Sequence, residues 1–140
     1  MAIRNRALSI VFFFFVLAIV LFSIMGFAAE NKVIAYYFHG SFRCPTCHKL
    51  EQYSKEAIEE NFKDEIANGA LEFKTINVEK EGNEHFVNDY QLYTKSLVIS
   101  KIEEGKEAQH KNLEKIWEYV RNKEKFFDYV TSEIKGYLGK

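Results

Sequence analysis

The sequence predicts an α/β domain with a central mixed sheet flanked by helices, in the order β-α-β-α-β-β-α, preceded by an N-terminal signal or anchor segment. Three observations predict it. Residues 33–38 (VIAYYF) form a continuous apolar run of the length, β-branching and aromatic content that suit a strand buried on both faces. Next come stretches with apolar residues at spacings of three and four, the mark of helices with one buried face. Between and after them lie short apolar runs bounded by Gly and Asn turn signals.

The elements follow in order. Residues 10–25 (IVFFFFVLAIVLFSIM) are apolar except for Ser23, and they follow Arg4 and Arg6. A basic start, an apolar run and small residues at Gly26 and Ala28 are the marks of a secretory signal peptide, residues 1–28. An uncleaved anchor is the competing reading, because residues 10–29 are just long enough to span a bilayer. Either reading exports residues 29–140 to the periplasm or the outer face of the cytoplasmic membrane. Removing the two leader arginines leaves 17 basic and 20 acidic residues in the exported part, net −3.

After the first strand, Leu50, Tyr53, Ala57, Ile58 and Phe62 line one face of a long helix that stops at Asn68-Gly69. Glu51 with Lys55 and Glu59 with Lys63 are set as i,i+4 pairs on its outer face. Residues 71–78 (LEFKTINV) read as a strand. Their alternation slips phase at Ile76, which implies a bulge or burial of both faces. Asn83 is placed to cap a short helix carrying Phe86, Tyr90 and Tyr93, with both tyrosines facing the core. Residues 97–100 are a strand, residues 103–106 a turn, and residues 107–110 a polar edge strand. Asn112 is placed to cap a helix bearing Leu113, Ile116, Trp117 and Val120, with Trp117 in the core. Asn122 restarts or bends it, and Phe126, Val130 and Ile134 continue the stripe. The first two connections, being helical, imply parallel pairing, and the Gly105 turn implies a hairpin.

Composition narrows the function. The chain has 140 residues, 19 basic and 20 acidic side chains and a pI near 6.4. That length fits one domain, and the charge balance excludes the basic surplus of a nucleic-acid binder. Two cysteines cannot build a disulfide scaffold. No Ser, His and acid converge in a triad pattern, and no Gly-rich phosphate loop exists.

The chemistry lies in Arg43-Cys44-Pro45-Thr46-Cys47-His48, between the first strand and the long helix. Read as a redox dithiol, Cys44 is an exposed nucleophile at a helix N-terminus, where free N–H groups and the macrodipole favour a thiolate. Arg43 and a protonated His48 add to that effect. Pro45 is tolerated because its missing N–H falls in the unpaired first turn. Cys47, one turn in, is the resolving thiol. As a staple the pair is weak, because closing so short a loop stabilises by only about 2 kcal/mol. The run also matches the C-x-x-C-H pattern of c-type haem attachment. Against haem, the motif opens a long helix, and Met1 and Met25 both lie in the leader. A distal ligand would then have to be His39, His85 or His110. Metal binding by the cysteines and a histidine is the third reading, although no second Cys pair or paired-His spacing supports a closed site. His39 reads first as a packed histidine and second as a group tuning the thiols. His85 and His110 read as surface residues.

The β-α-β-α-β-β-α order with C-x-x-C after the first strand resembles the thioredoxin fold over about residues 32–138. More closely, the stretches YYFHGSFRCPTCHKLE, NEHFVNDYQLYTKS and KNLEKIWEYV resemble the small thioredoxin-like subunit family of nitrophenyl-compound nitroreductases. That resemblance implies work beside a membrane electron-transfer protein. Three departures from thioredoxin stand out. Arg43 replaces the Trp before the first Cys. No carboxylate lies between Val33 and Arg43 to help deprotonate the second thiol, which leaves His39 as the nearest titratable substitute. The cis-proline opposite the dithiol is missing, with Lys95 in its place and Ser96 next. Its loss favours a dedicated partner over general disulfide exchange. The expectation is therefore an exported thiol–disulfide relay with no cofactor beyond its own disulfide. Electrons would run from a membrane-embedded thiol carrier to a partner oxidoreductase. A non-catalytic module holding metal or haem, or a scaffold subunit, is the alternative.

Overall fold

The computed structural model describes residues 31–140, so the leader reading lies outside the described residues. Strand β1 (Lys32–His39) pairs in parallel with β2 (Leu71–Asn77) and antiparallel with β3 (Ser96–Glu103). Strand β4 (Lys106–Asn112) pairs antiparallel with β3, which gives the sheet order β2-β1-β3-β4. The helices are α1 (Pro45–Asn61), α2 (Lys63–Ala67), α3 (His85–Asp89), α4 (Ile116–Tyr119) and α5 (Lys123–Leu138).

Period-two alternation in β1 feeds two cores. Val33, Ala35 and Tyr37 face a large cluster with Leu50, Ile58, Phe62, Phe126, Val130 and Ile134, so α1 and α5 cover that side. Phe38 and Val98 face a smaller cluster with Leu92, edged by Tyr36, Ile76, Phe86 and Tyr90, so α3 and its loops cover the other. This is why the VIAYYF run is apolar throughout. It also explains the phase slip in β2. Its pairing with β1 is regular from Leu71 to Asn77, so the strand has no bulge there. Phe73 packs with the large cluster and Ile76 with the small one.

Several boundaries move. The long helix breaks at Phe62 (φ −132°, ψ 38°), whose ring is buried in the core, and resumes as α2. The second connection does not make a parallel pair. Five-residue α3 rises only about 7.5 Å, too short to run back along a seven-residue strand of roughly 23 Å. The chain therefore crosses the end of β1, and β3 returns antiparallel with Ser96 opposite Phe38. Asn83 is not the cap of α3: its side-chain amide donates to the Asn77 carbonyl at 2.9 Å. Asn112 ends β4 rather than capping a helix. Asn122 does cap α5, accepting from the Lys125 N–H at 3.0 Å.

Glu104 and Gly105 form a two-residue hairpin turn with φ values of 53° and 75°. Both lie in the left-handed region, where Glu104 is strained and Asn or Gly is at ease. Glu104→Asn should stabilise the domain by up to about 1 kcal/mol, read as a raised midpoint in urea.

Candidate functional site: the Cys44–Cys47 turn

Strand β1 ends at His39, and residues 40–43 carry the chain to α1. Glu79 holds this link, its carboxylate accepting from the Ser41 N–H at 2.9 Å. Asn77, at the end of β2, donates to the Ser41 hydroxyl at 3.2 Å. The Ser41 hydrogen bonds lead in lowering the Glu79 carboxyl pKa, aided by Lys95 and His39. The adjoining Phe42 is 77% exposed.

Cys44 is the N-cap of α1, in extended conformation (φ −80°, ψ 163°). Its Sγ accepts from the Cys47 N–H at 3.1 Å, so a helix-terminal donor points at this sulfur. Cys44 and Cys47 are joined in a disulfide with Cα atoms 5.0 Å apart. Cys44 is half-buried, whereas Cys47 is only 2% exposed. The pair is therefore asymmetric, with one approachable sulfur and one packed beneath it. Pro45 sits exposed in the first turn of α1, where no intrahelical N–H is needed.

The other candidate residues are placed as follows. His39 is half-buried, with Nδ1 donating to the Gly40 carbonyl at 2.8 Å and its ring 6.3 Å from that of Tyr37. His48 is exposed on the first turn of α1, and its N–H donates to the Cys44 carbonyl at 3.1 Å. Lys95 projects toward the approach turn, with Nζ 6.0 Å from the Phe42 ring, and its carbonyl accepts from Trp117 Nε1 at 2.9 Å. Ser96 is buried, its hydroxyl donating to the Thr94 carbonyl at 2.9 Å. The described residues contain no cis peptide. Arg43 does not point freely at the cysteines. Its guanidinium pairs with Glu51, two turns along α1, so Glu51 turns away from its expected partner Lys55.

Three residues matter that the sequence reading passed over. Tyr37 was only part of an apolar strand, yet its buried hydroxyl donates to the Cys47 carbonyl at 2.7 Å. Burial pushes its pKa up to about 12, against the opposing pull of Arg43. Glu51 was expected to pair with Lys55 on the outer helix face, and Glu79 was given no role. The signal for Tyr37 was register: an odd-numbered position on β1 faces the same side as α1.

Two tyrosine and tryptophan placements change. Tyr93 is 93% exposed because the chain turns at Gln91 (φ 50°) and carries it away from the core, unlike Tyr90. Trp117 is 37% exposed, since four-residue α4 lies at the surface and the indole reaches out to Lys95.

A second polar cluster lies on the α3 side of the sheet. Ser100 and Tyr90 each donate to Glu107 at 2.5 Å, and His110 Nδ1 lies 2.9 Å from the same carboxylate. Serine, acid and histidine thus meet here, but not in the arrangement of a triad. They do not make a nucleophile, because Ser100 is fully buried and bonds the acid rather than the imidazole. The cause is a bulge in β4: Lys101 pairs with Gln109 and Ile102 with Glu107, leaving Ala108 extra. In a regular strand, positions i and i+3 face opposite sides, and the added residue brings Glu107 and His110 to one side. Burial pushes the Glu107 carboxyl up, but hydrogen bonds from Ser100, Tyr90 and His110 outweigh it and hold it below the ordinary range.

No group of three or more His, Cys, Asp and Glu is placed to hold a metal ion among the described residues. Covalent haem would need both sulfurs on an accessible face, and the buried Cys47 does not fit that demand.

The sheet order, with a C-x-x-C pair at the turn from β1 into a helix, is that of the thioredoxin-like fold, here carrying a short-range disulfide. No protein-family model matches the chain, and no curated protein matches it. Among solved structures, a thioredoxin of Fasciola hepatica is 20% identical and aligns over 66% of this chain and 82% of its own, with a TM-score of 0.41. Thioredoxin O2 of Arabidopsis thaliana, in its oxidised state, is 8% identical over 69% and 76%, with a TM-score of 0.41. A thioredoxin from Thermus thermophilus is 10% identical over 64% and 72%, with a TM-score of 0.36.

Proposed function

We propose that this chain is an exported thiol–disulfide redox protein that cycles through Cys44 and Cys47. The asymmetry of the pair carries the reading: Cys44 is approachable and faced by a helix-terminal N–H, and Cys47 is buried one turn inside. In the reduced state the Cys44 thiolate attacks one sulfur of a partner disulfide. A Cys44–partner disulfide forms, and the other partner sulfur leaves as a thiolate. Cys47, as thiolate, then attacks Cys44 Sγ, forms the Cys44–Cys47 disulfide and releases the second partner thiolate. Two electrons pass to the partner, whose thiolates take up the two protons that the cysteines lost.

A membrane-embedded thiol carrier would supply the electrons, and an oxidoreductase beside the membrane, a nitroreductase by the sequence resemblance, would receive them. The apolar leader and the motif stretches support this part. Lys95 in place of the loop proline favours one dedicated partner. His39, His48 and Ser96 are proposed to shape the approach to the sulfurs rather than to react.

The test is covalent trapping. Cys47→Ser should accumulate a mixed disulfide through Cys44, seen as a reducible adduct on a non-reducing gel and by intact mass. Cys44→Ser should give none. If neither variant forms an adduct under cycling redox conditions, the pair is not a relay.

A further inference from the structure

We infer that Glu51 sets the redox poise of the Cys44–Cys47 couple by neutralising Arg43, so that these two act as a matched pair of positioning residues. This rests on the redox reading above.

Arg43 directly precedes the cysteine that caps α1. Its guanidinium is drawn onto Glu51 and opposes the rise in the Tyr37 pKa; the Tyr37 hydroxyl in turn donates to the Cys47 carbonyl at 2.7 Å. Thr75, from β2, donates to the second Glu51 oxygen at 3.3 Å and ties the carboxylate to the sheet. The two charges are only 21% and 24% exposed, so solvent and salt screen them less than surface ions. Arg43 directly precedes the N-cap and first turn of α1, which carry both sulfurs, and Glu51 lies in the next turn.

A bare cation here would favour a thiolate, and a bare carboxylate would disfavour it. The pair together presents the sulfurs with little net charge. Whatever stabilises the thiolate stabilises the reduced couple and raises its potential. Arg43 is thus not the free activator that its position in sequence suggests. Its effect is held in check by an acid eight residues away, in the second turn of α1.

The experiment equilibrates the full chain with mixtures of reduced and oxidised glutathione at pH 7 and reads the dithiol fraction by thiol alkylation. Two glutathione thiols reduce the Cys44–Cys47 disulfide, yielding the dithiol and one oxidised glutathione, so protons and electrons balance. Glu51→Gln should shift the equilibrium about tenfold toward the dithiol, about 30 mV upward. Arg43→Gln should shift it about tenfold the other way, because Glu51 is then left unpaired. The double variant should return near the unmodified value, and Glu51→Asp should stay near it throughout.

Loosening of the turn alone would move both single variants in the same direction. Shifts of the same sign, or no shift beyond twofold in either, overturn the inference. If Glu51→Gln does not fold, Arg43→Gln and the double variant decide between the same outcomes. A chain that does not interconvert at any glutathione ratio removes the relay reading itself, and this inference with it.

Discussion

Phe126→Ala is expected to cost about 3–5 kcal/mol, the usual range for removing a fully buried aromatic ring. Phe126 has no exposed surface and meets the Tyr53 ring edge-on at 5.6 Å, joining α5 to α1 over the large core. A domain of this size has roughly 5–15 kcal/mol of total stability, so this one ring accounts for a third or more of a typical value. The urea midpoint should fall with an unchanged slope. Phe127→Ala, at the half-buried neighbouring position, should cost clearly less. Equal losses at the two positions would mean that α5 does not pack through Phe126. The consequence reaches the cysteines, because α1 carries the C-x-x-C turn and α5 is the helix packed along it.

Glu107→Ala should destabilise by about 2 kcal/mol, because it leaves the buried Ser100 hydroxyl without its acceptor. The same carboxylate gives the chain an acid limb. Its folded pKa is lowered, so its contribution is fully present above the unfolded value near 4.3 and is lost as pH falls through the folded value. Stability measured from pH 7 downward should therefore drop through the acid range in the unmodified chain and drop less in Glu107→Ala. Parallel curves for the two would show that the Ser100, Tyr90 and His110 contacts do not hold the ionised form. Tyr90 links this cluster to the connection before β3, so loosening Glu107 should also loosen the segment that bears Lys95.

What could be read from the sequence was what local physics decides. VIAYYF is buried on both faces because helices cover each side, and an unbroken apolar run says so directly. CPTC opens a helix because Pro45 fits the first turn and Cys44 can cap it. Asn122 is a cap because its side chain satisfies an N–H three residues on. The largest failures were non-local. The direction of β3 depends on how far α3 can carry the chain, which no residue in β3 encodes. The Glu107 cluster depends on one extra residue in β4, which reverses the side that a period-two pattern assigns. Glu51 read as a helix-surface acid because its i,i+4 partner Lys55 was visible, whereas Arg43 reaches it from outside the helix. In the structure Lys55 lies 3.8 Å from Glu59 instead.

Strand β1 also determines where the sulfurs can be met. The chain enters β1 at its Lys32 end, beside the β3–β4 turn, where Asn31 accepts from the Glu104 N–H at 2.9 Å. The C-x-x-C turn leaves from the other end, about 26 Å away for an eight-residue strand. Whatever precedes residue 31 therefore joins the domain at the pole opposite the cysteines.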